Sequence, residues 1–183
     1  LPTFSSYYEC SSRVIFTRHE GRAVDFIAAI REHNPSCIVI VNPNNPTGTV
    51  LTRNELIEVI STLREDQALI VDESFVHFTT IEPYTGYSIQ DCIDQHPNVI
   101  VVKSMSKDFG IAGIRCGYAV ANPNLVSDIL SKSYLWNSNG LAEYFWKVYS
   151  DKSFRDQYEG CRIRYCRDRD LFYQKLDSLP WLR

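Results

Sequence analysis

Val99-Ile100-Val101-Val102, followed at once by Lys103-Ser104-Met105-Ser106-Lys107-Asp108-Phe109-Gly110, is a β-branched run that ends in a cluster of polar residues. Such a run, short and continuous rather than alternating, predicts a strand covered on both faces, as in parallel sheets. Working outward, similar runs stand at 38–41, 68–71 and 118–121. Helical patterns lie between them. Thr52-x-x-Glu55 is a capping box, after which Leu56, Ile60 and Leu63 recur at helical spacing. Val24, Ile27 and Ala28 give a similar stripe ahead of the first run. The first three runs start about 30 residues apart, the period of a strand–helix–strand unit. The chain is therefore expected to be α/β.

Composition agrees and narrows the function. The chain has 183 residues, 44% hydrophobic and 22% charged, which is enough to bury a core and suits one domain. A net charge of −3 argues against a nucleic-acid surface, which needs a basic stripe. No apolar run approaches the roughly 18 residues that span a membrane. The only methionine is Met105, and Leu1-Pro2-Thr3-Phe4 is no readable signal peptide. Six scattered cysteines form no Cys-x-x-Cys pair and no zinc spacing, so no metal site is expected and a reducing, cytoplasmic setting is. Cys37 and Cys116, in apolar segments, are expected to be buried thiols. Near the end, Phe154, Tyr158, Cys161, Tyr165, Phe172, Leu176 and Leu179 mark one long amphipathic helix. Its Arg and Asp residues are assigned to the outer face, and Pro180 stops it.

In open α/β sheets, ligands gather beyond the carboxyl ends of the strands. After the first run comes Asn42-Pro43-Asn44-Asn45-Pro46-Thr47-Gly48, after the second Asp72-Glu73-Ser74-Phe75, and after the third the segment that contains Lys107. Singly, these read as a turn, a helix cap and a solvated lysine. Together they place an amide, a carboxylate and an amine on one rim. There is no Gly-x-Gly-x-x-Gly after a strand and no Walker sequence, which disfavours nicotinamide or nucleotide chemistry.

Asn45-Pro46-Thr47-Gly48, Asp72, and Ser106-Lys107-x-Phe109-Gly110-x-x-Gly113-x-Arg115-x-Gly117-Tyr118 resemble the class I/II aminotransferases, pyridoxal-phosphate enzymes of fold type I. The closest likeness is to the branch with histidinol-phosphate aminotransferase and threonine-phosphate decarboxylase. The resemblance implies a three-layer αβα domain on a mostly parallel sheet, with residues 1–179 as the large, cofactor-binding domain and 180–183 opening a small domain. It implies that Lys107 links to pyridoxal 5'-phosphate through a Schiff base and later moves the α-proton. Asp72 would pair with the pyridine nitrogen, Asn45 with the phenolic oxygen, and Ser104, Ser106 and Arg115 with the phosphate. Phe4 falls where the family stacks an aromatic ring on the cofactor. The family's glycine-rich phosphate turn would precede Leu1, and its substrate-carboxylate arginine would follow Arg183. At position 75 many relatives carry a tyrosine and some decarboxylase-like ones a phenylalanine; in this chain it is Phe75.

The first expectation is an aminotransferase that exchanges an amino group between an amino acid or phosphorylated amine and a 2-oxo acid, working as a homodimer. The second is a decarboxylase of a phosphorylated amino acid on the same scaffold. The third is a non-catalytic, cofactor-binding sensor domain, disfavoured because Lys107, Asp72 and Arg115 are all present.

Overall fold

A computed structural model describes residues 22–132 and 138–181. Helix α1 (Ala23–His33) ends at Asn34, whose left-handed backbone (φ 45°) is one that asparagine tolerates well. Strand β1 (Cys37–Val41) follows, then α2 (Arg53–Ser61), opened by the expected capping box with both halves made. Strand β2 (Ala68–Asp72) leads through three short 3₁₀ turns to β3 (Val99–Ser104) and the one-turn helix α3 (Ser106–Phe109). After β4 (Gly117–Ala121) come α4 (Pro123–Lys132), α5 (Gly140–Ser150) and α6 (Lys152–Asp177).

The four strands among the described residues lie in sequence order. β1, β2 and β3 are parallel, with Ile38 opposite Leu69 and Leu69 opposite Val99, and β4 runs antiparallel to β3. The fold is thus α/β on a mostly parallel sheet. Two local expectations change. The connection from β2 to β3 holds 3₁₀ turns instead of an α-helix; it contains Pro83 and Gly86 and lacks an apolar helical stripe. The segment between β3 and β4 carries only α3 and a 3₁₀ turn, too little for the crossover a parallel neighbour needs, so β4 turns back.

The core lies on one face. Ile38, Ile40, Leu69, Val71, Val99 and Val101 alternate toward α1 and α2, where they meet Ile27, Ile30, Leu56 and Val59. Each large side chain buried there contributes about 1.5–3 kcal/mol relative to exposure. The opposite face is less covered among the described residues. Val39 is 61% exposed and Cys37 is exposed, so β1 alternates and its thiol is not buried, contrary to expectation; Cys116 is buried as expected. The α1 stripe is also shifted in phase: Ala23, Ile27 and Ile30 point inward, while Val24 and Ala28 face out.

Helix α6 corrects the expected face as well. Phe154 and Tyr158 pack on Phe109, but Tyr165 and Phe172 are exposed. The residues that go inside are Arg162 and Cys166. The cause is the surface α6 lies on. Its backbone presents the carbonyls of His77, Thr80 and Ile81, which require a donor, and Arg162 supplies it.

Candidate active site

Register fixes the site. Asp72 is opposite Val41 on one side and Val102 on the other, and Ser104 is opposite Gly117. Asp72, Val102 and Ser104 therefore share the less covered face, at the carboxyl ends of β2 and β3. A cleft of about 500 Å³ opens there, lined among others by Asp72, Ser74, Lys103, Ser104, Ser106 and Arg115. Gly117 forms part of its floor. A Cβ at this position would stand 2.6 Å from the Lys103 carbonyl oxygen, so only glycine permits this approach of the two strands.

A ladder of short bonds ties the polar residues together. Asp72 Oδ1 accepts from the Ser74 backbone N–H at 2.9 Å, Ser74 Oγ from that of Ser104 at 3.0 Å, and Ser104 Oγ from that of Ser106 at 3.2 Å. Ser106 Oγ is buried and makes no hydrogen bond among the described residues. Arg115 has a left-handed backbone (φ 58°), and its guanidinium donates to the Ala112 carbonyl at 3.0 Å. An orphaned hydroxyl, a second serine and a guanidinium in one cleft form a donor set suited to a phosphate.

The structure thus brings together Asp72, Ser104, Ser106 and Arg115. Lys107 is exposed and stands outside the cleft lining, with its Nζ 5.6 Å above the centre of the Phe75 ring. Asn45 is exposed on the loop after β1, also outside the lining. That loop is pinned by Asn42, whose side-chain amide donates to the Leu51 carbonyl at 2.9 Å while its oxygen accepts from the Leu51 N–H at 2.7 Å. Phe4 lies outside the described residues.

Behind the cleft sit buried polar groups that hydrophobic patterning does not reveal. The Glu73 carboxylate accepts from Ser88 Oγ, the Ile89 N–H and Gln90 Nε2 at 2.7–3.0 Å. Gln90 Oε1 in turn accepts from the Tyr118 hydroxyl at 3.0 Å. His77 is buried, and burial first, then the charges of Lys103 and Arg162, push its pKa down to about 3. The folded protein therefore keeps His77 neutral where an unfolded chain would protonate it. Below the unfolded value of 6.5 the unfolded state binds the extra proton, so stability falls as pH falls, down to about 3. Between neutral pH and pH 5 this costs about 2 kcal/mol. Urea unfolding of the parent and of His77→Gln at several pH values checks it: the variant should lose that part of the slope.

Among the described residues no helix is long and apolar enough to cross a membrane, and no cluster of His, Cys, Asp and Glu could hold a metal. Comparison with known proteins gives a consistent answer. The chain is 36% identical to an L-serine phosphate decarboxylase from Campylobacter jejuni, over 98% of this chain and 48% of that protein. It is 32% identical to a histidinol-phosphate aminotransferase from a Thermoanaerobacter species, over 86% of this chain and 42% of that one. The solved structure of a decarboxylase from Sulfurospirillum multivorans superposes with a TM-score of 0.80 at 36% identity, covering 98% of this chain and 54% of that one. The chain thus spans about half the length of the relatives it matches. The family model for aminotransferase class I and II matches residues 3–182. With that match running through the strands, the cleft and the Lys107 turn alike, the chain belongs to the class I and II aminotransferase family, whose cofactor is pyridoxal phosphate.

Proposed function

We propose that this chain is the large, cofactor-binding domain of a decarboxylase acting on an O-phosphorylated amino acid. The observation that carries this is the likeness to the L-serine phosphate decarboxylases, which extends over nearly the whole chain, whereas the aminotransferase likeness covers less of it. It reverses the order expected from motifs alone, in which amino transfer came first. Phe75, which the motif comparison also associates with decarboxylase-like members, supports the same choice.

The residues present fit the cofactor. Ser104, Ser106 and Arg115 would take its phosphate, and the unpaired Ser106 hydroxyl is the clearest sign of a missing acceptor. When bound, pyridoxal phosphate supplies an electron sink for the pair left at the α-carbon as the carboxyl group departs as carbon dioxide. Asp72 would hold a proton at the pyridine nitrogen. Lys107 would anchor the cofactor and then deliver a proton to the α-carbon, so that a C–H bond replaces the C–carboxyl bond and the phosphorylated amine leaves. Asn45 would bond the phenolic oxygen and Phe4 would stack on the ring. The intact enzyme would be a homodimer in the cytoplasm.

The test is product analysis with the full-length protein, pyridoxal phosphate and L-serine or L-threonine phosphate. Carbon dioxide and the matching amine should appear in equal amounts. Formation of a 2-oxo acid from the same substrates without carbon dioxide would replace this reading by amino transfer, which the histidinol-phosphate aminotransferase relatives keep as the second reading. Borohydride reduction followed by peptide mapping should place the cofactor label on Lys107.

A further inference from the structure

Lys107 and Asp108 are neighbours on α3 whose side chains go opposite ways. Lys107 is exposed against Phe75, whereas the Asp108 side chain is fully buried. Asp108 Oδ2 lies 2.8 Å from Lys103 Nζ, itself fully buried at the end of β3, and 3.4 Å from His77 Nδ1. Lys103 Nζ also donates to the Glu73 carbonyl at 3.4 Å, and His77 Nδ1 is hydrogen-bonded to the Tyr158 hydroxyl at 2.8 Å. Four elements therefore meet at one carboxylate: the end of β3, the Lys107 turn, the 3₁₀ turn after β2, and α6.

Stability alone does not explain this cluster. Desolvation lowers the Lys103 pKa and raises that of Asp108, and each partner only partly offsets the other's cost. A buried ion pair is often no more stable than well-packed apolar residues of the same volume. The turn also has an apolar anchor already: Phe109 packs among Phe145, Tyr149, Phe154 and Tyr158 at ring distances of 4.5–5.8 Å. What an apolar anchor lacks is direction, since a one-turn helix is too short to hold its own orientation. The attraction between Lys103 and Asp108 gives the turn a second, polar point of attachment, although neither Asp108 oxygen makes a hydrogen bond among the described residues.

We propose that Lys103 and Asp108, backed by His77 and Tyr158, form a buried clamp that orients the Lys107 turn and so positions the cofactor lysine beside the cleft. The inference rests on reading Lys107 as that lysine. Lys103 and Asp108 act as positioning residues through Lys107: both side chains are fully buried, although Lys103 also borders the cleft.

The experiment compares the full-length parent with Lys103→Met/Asp108→Leu, which removes both charges together. Two quantities are read: the melting temperature without cofactor, and the rate of borohydride-trapped labelling of Lys107 at limiting pyridoxal phosphate. The double variant should melt within a few degrees of the parent yet label about ten- to a hundredfold more slowly, as a small misplacement of a reacting group does. Asp108→Asn alone, which strands the Lys103 charge, should lower both readings. Labelling of the double variant at the parent's rate would overturn the clamp and leave the role of Lys107 intact. A double variant that unfolds would overturn it too, by making the pair a folding element. A parent that takes no label at Lys107 would instead remove the underlying reading.

Discussion

Asp72→Ala should lower turnover of the full-length enzyme on the order of a hundred- to a thousandfold, the usual loss when a preorganised electrostatic partner is removed. Geometry is the reason. Asp72 ends β2 on the less covered sheet face, and the Ser74 N–H fixes one carboxylate oxygen at 2.9 Å while the other stays available to the cleft. A carboxylate held in this way favours a proton on a facing ring nitrogen, and that proton makes the ring an acceptor of electrons. Asp72→Asn keeps the shape and loses the charge, so it should lose nearly as much turnover as alanine while retaining more cofactor. Measuring kcat/KM beside the fraction of cofactor retained separates the two effects. If Asp72→Asn turned over at close to the parent's rate, the pyridine role of Asp72 would be wrong.

Much of this frame is legible in the sequence, and the exceptions share a cause. The runs at 68–71 and 99–102 became β2 and β3 because continuous β-branched residues have few alternatives. Thr52 and Glu55 made their capping box because a cap depends only on local geometry. Ser104, Ser106 and Arg115 converge because a strand end and the turn after it are local features. Where a tertiary partner decides, the pattern misleads. Val39 looks like Ile40 in sequence yet is exposed, since among the described residues only the opposite face of β1 is packed against helices. Lys103, Glu73 and His77 give no hydrophobic signal, and charged or polar residues of their kind usually meet solvent. Each is buried beside a polar partner: Asp108 in the next turn for Lys103, Ser88 for Glu73 and Tyr158 on α6 for His77.

Arg162 is the strongest case of this kind, and its replacement should have the largest effect on stability. It is 2% exposed, although helical periodicity assigns it to the outer face of α6. Its guanidinium donates to the carbonyls of His77, Thr80 and Ile81 at 2.6–3.0 Å, and forks onto the Glu159 carboxylate at 2.7 and 2.8 Å. Arg162→Met keeps much of the apolar stem but strands three carbonyls, one in the 3₁₀ turn that carries His77 and two in the irregular stretch just after it. The expected loss is about 3–5 kcal/mol, read from urea unfolding. Arg162→Lys should fall between, because an ammonium cannot reproduce the planar fork. Glu159→Gln should cost under about 1 kcal/mol, since that carboxylate is 46% exposed and water can replace it. The order of the three losses is more diagnostic than any single value. If the glutamate variant lost more than the methionine one, the ion pair rather than the three carbonyl bonds would hold α6 to the turns that carry His77. Arg162 would then act through Glu159 and not as the donor those carbonyls require.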